Sequence, residues 1–99
     1  MKNNYLNIVG LAYRAGKCST GEDIIVNDIQ QNRAKLVLMA SDIGPRTRKK
    51  LMNKCNTYEV PFVFVDDRET LSNAIGKSQR VAAAILDKGF AAKIQSLLG

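Results

Sequence analysis

Few residues in this chain have both the type and the spacing to do chemistry. Gly76-Lys77-Ser78 has the closing residues of a phosphate-binding loop, but such a loop needs another glycine five positions before Gly76, so that successive backbone amides wrap the phosphate. That position is Leu71, and the run follows a helical stretch instead of leading from a strand into one. No Gly-x-Gly-x-x-Gly run exists for a dinucleotide. The carboxylate pairs Glu22-Asp23 and Asp66-Asp67 are of the type that serves as acid and base or holds magnesium. Each stands where a helix is expected to begin, and capping free amides or opposing the helix dipole explains such carboxylates at about 0.3–2 kcal/mol apiece. With no histidine in the chain, neither a Ser-His-Asp triad, a Cys-His dyad nor a histidine zinc site can be assembled. Cys18 and Cys55 lie 37 positions apart with no Cys-x-x-Cys spacing and read as buried, reduced thiols. The expectation is a chain without catalytic residues, metal ligands or a cofactor.

Charge points elsewhere. Lysine and arginine exceed aspartate and glutamate by 15 to 9, a net charge of +6 and a pI near 9.6, a balance that favours a polyanionic partner. Arg46, Arg48, Lys49, Lys50 and Lys54 put five of these charges within nine residues that hold no acid. Arginine forks a phosphate bidentately and lysine adds charge without directional demand. The run fits either a phosphate track, best at its Arg46 end where helix amides are unpaired, or a solvated helix face. Lys17, Thr20, Gly21 and Glu22 form a second group: a glycine at a helix start lets a polyanion or flat base approach the backbone closely, although an ordinary turn glycine has the same local sequence.

The elements that must carry these groups follow from periodicity. Ninety-nine residues, 45% hydrophobic and 24% charged, make one domain over residues 1–99 that buries roughly two thirds of its chain surface. Its polar first residues argue against a signal peptide or membrane span, which places the protein in the cytosol. Tyr5, Ile8, Val9 and Ala12 recur at helical spacing from about Asn4 to Ala15, with an asparagine available as cap and Gly16 closing the helix. Cys18-Ser19-Thr20 is a short strand. Thr20 with Asp23 resembles a capping box opening a second helix, whose apolar face carries Ile25 and Ile29 with Ile24 beside them, Asp28, Gln30 and Gln31 pointing outward and Asn32 ending it. Leu36 to Ala40 is a continuous apolar strand, covered on both faces. Ser41 to Pro45 leads into a third helix to about Asn56, with Leu51, Met52 and Cys55 inside. Val60 to Val65 is the next strand, its proline at the start where a missing donor is tolerated. Asp66-Asp67 cap a short fourth helix ended by Gly76. Lys77 to Arg80 is a polar loop, Val81 to Leu86 a strand, and Phe90, Ala91, Ile94, Leu97 and Leu98 the buried stripe of a closing helix. Helices alternating with apolar strands predict a three-layer α/β/α sandwich, and crossover connections favour a largely parallel sheet.

The ordered set Gly16-Lys17, Gly21-Glu22-Asp23, Ala34-Lys35-Leu36-Val37, Ser41-Asp42, Val60 to Val65, Leu71 to Gly76 and Arg80 to Ile85 resembles the ribosomal protein seven-Ae and thirty-e superfamily of kink-turn RNA binders, and most of all its small bacterial YlxQ-like branch. The resemblance spans nearly the whole chain and implies an α/β/α sandwich around a four-stranded mixed sheet. It also implies an RNA surface built from the start of the second helix, the loops after the two long strands and the loop before the last strand, which here contain Gly21, Asp23, Arg68 and Arg80. The family's Gly-x-Asn-Glu-x-x-Lys pattern, which reads sheared guanine-adenine pairs, aligns with Gly21, Asp23, Ile24 and Asn27. Only the glycine is kept: Asp23 is acceptor-only, Ile24 cannot accept a guanine edge hydrogen, and Asn27 lacks the positive charge. Val81 and Ala82 either pack against a flipped-out base or enter the core.

The expected function is therefore non-catalytic binding of structured RNA, ribosomal or transcript, by a monomer without a small-molecule cofactor and without membrane association, cytoplasmic and associated with ribosomes. The RNA-binding residues expected are Lys17, Thr20, Gly21, Glu22, Asp23, Arg46, Arg68, Lys77, Arg80 and Val81. The alternative is a protein-interaction module of the same fold with a degenerate RNA site, which an exposed apolar patch around the second helix would favour.

Overall fold

A computed structural model describes residues 4–99 of the chain. The first helix, α1 (Asn4–Arg14), buries Tyr5, Val9 and Ala12, the stripe that helical spacing requires. It ends at Gly16, whose φ of 74° lies in the left-handed region where a side chain is disfavoured. The asparagine expected as its cap falls at position 3, outside the described residues. After α1 come β1 (Cys18–Ser19), α2 (Glu22–Gln30), β2 (Leu36–Met39), α3 (Pro45–Thr57), β3 (Phe62–Phe64), α4 (Arg68–Ile75), β4 (Ala82–Ile85) and α5 (Lys88–Leu98).

The four strands form one sheet in the order β1-β4-β2-β3. Only β2 and β3 run parallel; β4 is antiparallel to both β1 and β2. The mixed sheet stands, and the largely parallel sheet expected from the crossovers is corrected, because the last strand enters the middle of the sheet from the opposite direction. The two central strands are buried throughout, and their side chains alternate between layers as the pleat demands. Leu36, Leu38 and Ile85 face α1, α4 and α5. Val37, Met39, Ala82 and Ala84 face α2 and α3, against Ile25, Ile29, Leu51 and Cys55. Two clusters on opposite faces of one sheet make the three-layer sandwich.

Several local expectations change. Thr20 does not cap α2: the helix begins after Gly21, with no side-chain bond at its cap. Asp28 points inward, 5% exposed, because the left-handed turn at Asn32 (φ 62°) brings Arg33 back to donate Nε–H to its carboxylate at 2.9 Å. Ile24, expected on the apolar face, is 58% exposed, since the inward stripe is Ile25, Asp28 and Ile29. Ala82 enters the core. Cys55 is fully buried and Cys18 half-buried, both free; burial pushes the Cys18 thiol up to about 12 and that of Cys55 to about 11. The α4 and α5 caps are carboxylates, Asp67 accepting from Thr70 N–H and Asp87 from Phe90 N–H, each at 2.9 Å. The Thr70 amide holds the Asp67 carboxyl below its ordinary range.

Candidate nucleic-acid interface

Because β4 runs against its neighbours, one rim of the sheet collects the carboxyl ends of β1, β2 and β3 and the amino end of β4. Four connections therefore meet there: Thr20-Gly21 before α2, Ser41 to Gly44 before α3, Val65 to Asp67 before α4, and Lys77 to Val81 before β4. Hydrogen bonds tie them to one another. Ala40 N–H donates to the Val81 carbonyl at 2.8 Å and Ser41 N–H to the Asp66 carbonyl at 3.0 Å. The buried Tyr5 hydroxyl donates to the Asp66 carboxylate at 2.6 Å and accepts from Asp66 N–H at 3.2 Å. Burial, with the Asp66 carboxylate next in weight, raises the Tyr5 phenol far above its ordinary value.

The expected site residues can now be placed. Arg68 opens α4 and is locked to the loop after β2: its amide donates to Asp42 Oδ1 at 2.9 Å, Nε to Oδ2 at 3.3 Å and Nη2 to the Asp42 carbonyl at 2.7 Å. Arg80 is fixed through its backbone, its N–H donating to Ser72 Oγ at 2.9 Å while that hydroxyl donates to the Arg80 carbonyl at 3.2 Å. Its Nε is buried and, among the described residues, has no hydrogen-bond partner, a rare state for a buried donor. A cleft of 420 Å³ lies between Arg68 and Lys77, lined also by Asp42, Asn73 and Gln79. Gln79 holds a φ of 58°, the strained conformation that aims the loop before Arg80. The Lys77 ammonium leans on the Tyr13 ring, 5.8 Å from its centroid.

On the other side of the rim, Glu22 is tied to α3, accepting from Thr47 Oγ1 at 3.1 Å and pairing with Lys50 Nζ at 3.1 Å. Asp23 is 98% exposed in its side chain, at the edge of the same pair, 3.9 Å from Lys50 Nζ. Gly21 is not demanded by the backbone, with φ −82° and ψ 142°. A Cβ there would make ordinary contact with the Ile24 side chain, at 3.4 Å, so the glycine and Ile24 together border the first turn of α2. Neither α2 nor α3 has a side-chain cap bond, whereas α4 and α5 do. Two helix ends with unfilled first-turn amides thus meet at this rim beside Gly21 and Arg46, an arrangement that receives anions.

The structure brings together Thr20, Gly21, Glu22, Asp23, Arg46, Arg68, Arg80 and Val81; Lys77, beyond the carboxyl end of α4, joins them only across the cleft it lines with Arg68, its ammonium turned to Tyr13. Lys17 stands apart from them, at the far end of β1: its carbonyl accepts from Leu86 N–H beyond the carboxyl end of β4. Three residues support the site in ways the sequence did not lead one to expect, namely Ser72 under Arg80, Tyr5 under Asp66 and Asp42 as the clamp on Arg68. Contacts across 8, 61 and 26 positions leave no local signal. The rim also carries six of the nine acids, Glu22, Asp23, Asp42, Asp66, Asp67 and Glu69. Its charge is mixed, and four of those carboxylates are occupied as partners of the bonds above. Among the described residues no three His, Cys, Asp or Glu side chains converge as metal ligands, and no helix is long and apolar enough to cross a membrane.

This sandwich, with its loops gathered at one rim, defines a recognisable class: the chain belongs to the ribosomal protein L7Ae/L30e/S12e/Gadd45 family, whose pattern matches residues 4–95. It is similar to the RNA-binding protein YlxQ of Bacillus subtilis, 47% identical over 92% of this chain and 91% of that protein. It is also similar to the large ribosomal subunit protein eL8 of Thermoplasma volcanium, 29% identical over 85% of this chain and 70% of that protein. A solved structure of a Bacillus halodurans protein of unknown function superposes with a TM-score of 0.91 at 40% identity, covering 96% of both chains.

Proposed function

We propose that this protein binds structured RNA without catalysing a reaction, and that it does so by seating a bent, kink-turn-like strand on the rim described above. The observation that carries this reading is the meeting of two helix N-termini without side-chain caps around Gly21 with Arg80, anchored through its backbone by Ser72, in a family member whose relative is named an RNA-binding protein. Phosphates fit the first-turn amides of α2 and α3 and the guanidinium of Arg80; unpaired bases fit the surface of Gly21 and Ile24 and the cleft between Arg68 and Lys77. The exposed Asp23 carboxylate supplies two acceptors for a base edge that presents adjacent N–H donors, and Ile24 beside it offers an apolar surface to a base face. Val81, half-buried at the head of β4, closes the site from below. The protein works as a monomer, without a small-molecule cofactor, on ribosomal RNA or a structured transcript in the cytoplasm.

The protein-interaction reading rests on Ile24, 58% exposed. A single apolar side chain beside the exposed Asp23 and Asn27 is not the contiguous patch that such docking uses. A gel-shift series separates the two: a kink-turn RNA, the same RNA with its guanine-adenine pairs destroyed, and a straight duplex of equal length. Tightest binding is expected for the intact bend. Equal binding of all three would defeat recognition of RNA shape, and binding of none would favour the protein partner.

A further inference from the structure

The chain's net charge of +6 is not concentrated at the rim, where six carboxylates accompany the cations. It lies on α3, whose first ten residues include Arg46, Arg48, Lys49, Lys50 and Lys54 and no acid. Lys50 turns toward α2 and is paired with Glu22 and Asp23. Arg46, Arg48 and Lys49 are exposed and, among the described residues, enter no ion pair. From the rim inward, Pro45, Arg48, Lys49, Met52, Asn53 and Asn56 line one shallow groove of 360 Å³. Their spacing is that of a single helical stripe, and Arg48 to Asn56 spans about 12 Å along the axis.

We propose that this outer face of α3 is a second RNA surface, on which the phosphate backbone of one arm of the bent RNA lies as it leaves the rim. The proposal rests on the rim reading and extends it. The surfaces join at Arg46 and Thr47, since α3 starts at the rim and runs away from it down the flank. A straight duplex laid across the rim leaves that flank bare; a sharply bent one has a second arm to follow it. Chemistry and continuity with the rim together select the occupant. Arg48 and Lys49 neutralise phosphates, while the Asn53 and Asn56 amides, each donor and acceptor, match ribose 2′-hydroxyls, which are also both. An acidic peptide would satisfy the cations, and its backbone N–H groups the amide oxygens, but it has no link to the rim, whereas an RNA arm reaches α3 as the continuation of the strand seated there. The rim thus reads shape and bases, and α3 supplies the electrostatic attraction that the mixed charge of the rim does not.

Fluorescence anisotropy with the full chain tests this on two kink-turn RNAs, one with short arms and one with an arm extended by about ten base pairs. For the native protein, extension should tighten binding roughly tenfold to thirtyfold at 0.15 M salt, the counterion-release effect of about two extra phosphate contacts. The Arg48→Gln/Lys49→Gln variant should lose that gain, lower the slope of log affinity against log salt by about 1.4–1.8, and bind the short RNA as the native protein does. Arg48→Lys/Lys49→Arg should restore the gain, which separates lost charge from disturbed folding. A Gln variant that keeps the full gain from extension would overturn the proposal while leaving the rim reading intact. A native protein that binds neither RNA would overturn both. Release of the extended arm by polyglutamate as readily as by duplex RNA of equal charge would overturn RNA as the occupant.

Discussion

Ser72→Ala removes one hydroxyl, 4% exposed, that satisfies both backbone groups of Arg80. The amide N–H donates to it at 2.9 Å and the carbonyl accepts from it at 3.2 Å. In the variant both groups lose their partner in a half-buried setting, at about 1–2 kcal/mol. For a domain of 99 residues, with an unfolding entropy of about 2.1 cal/mol/K per residue, that corresponds to a fall in melting temperature of roughly 5–10 °C. The loop Lys77 to Arg80 must then be ordered by the RNA itself. Backbone ordering costs about 1 kcal/mol per residue, so even partial release of this segment weakens RNA binding about tenfold. A thermal melt by circular dichroism and an anisotropy titration read the two effects, with Asn73→Ala, exposed one position along α4, as the silent control for stability. If Ser72→Ala melts within about a degree of the native protein, the hydroxyl does not hold Arg80. If it melts lower yet binds RNA undiminished, the fixed loop has no part in recognition.

Tyr5→Phe removes the buried bond to Asp66 and should destabilise the protein by about 1.5–3 kcal/mol at neutral pH, as for a hydrogen bond to a charged acceptor. Because folding raises the Tyr5 phenol above its ordinary value, the native protein keeps this contribution below about pH 10 and loses it as pH rises further. Denaturant titrations should therefore find the gap between the two proteins narrowing above pH 10, and a constant gap would refute the linkage. Gly21→Leu should fold normally, since φ at that position is −82° and a Cβ makes ordinary contact with Ile24. It should bind RNA at least tenfold more weakly in a filter assay, and full binding would remove the first-turn amides of α2 from the site. Cys55 is buried, with its thiol pushed up to about 11, so at pH 7.5 iodoacetamide should label it only as fast as the protein unfolds. Rapid labelling under native conditions would contradict its place in the core.

The layers were legible because the core is built from periodic runs. Leu36 to Met39 and Ala82 to Ile85 are apolar without a break, as strands covered on both faces must be, and Tyr5, Val9 and Ala12 mark a helix face. The left-handed closures at Gly16, Asn32 and Gly76 also follow from residue type alone. Strand direction was not legible, because an antiparallel entry of β4 into the sheet centre leaves no trace in its composition. Asp28 misled for a related reason: a carboxylate on a helix reads as solvated until Arg33, beyond the following turn, is seen to reach back to it. At the site, Gly21, Arg68 and Arg80 were marked by the family resemblance, and the loops bearing them meet at one rim. Their supports, Asp42 and Ser72, come from distant positions and became visible only in the folded chain. The resemblance offered no reason to separate Lys17 from the group; two residues of antiparallel strand carry it to the other end of the sheet.

The most direct test is the backbone amide NMR spectrum of the protein titrated with an intact kink-turn RNA. Shifts should concentrate at Thr20 to Asp23, Ser41 to Gly44, Val65 to Glu69 and Lys77 to Val81, and continue along the exposed side of α3. Shifts centred instead on Asn32 to Lys35, Tyr58 to Val60 and Leu86 to Lys88, at the opposite end of the sheet, would contradict RNA recognition by this rim.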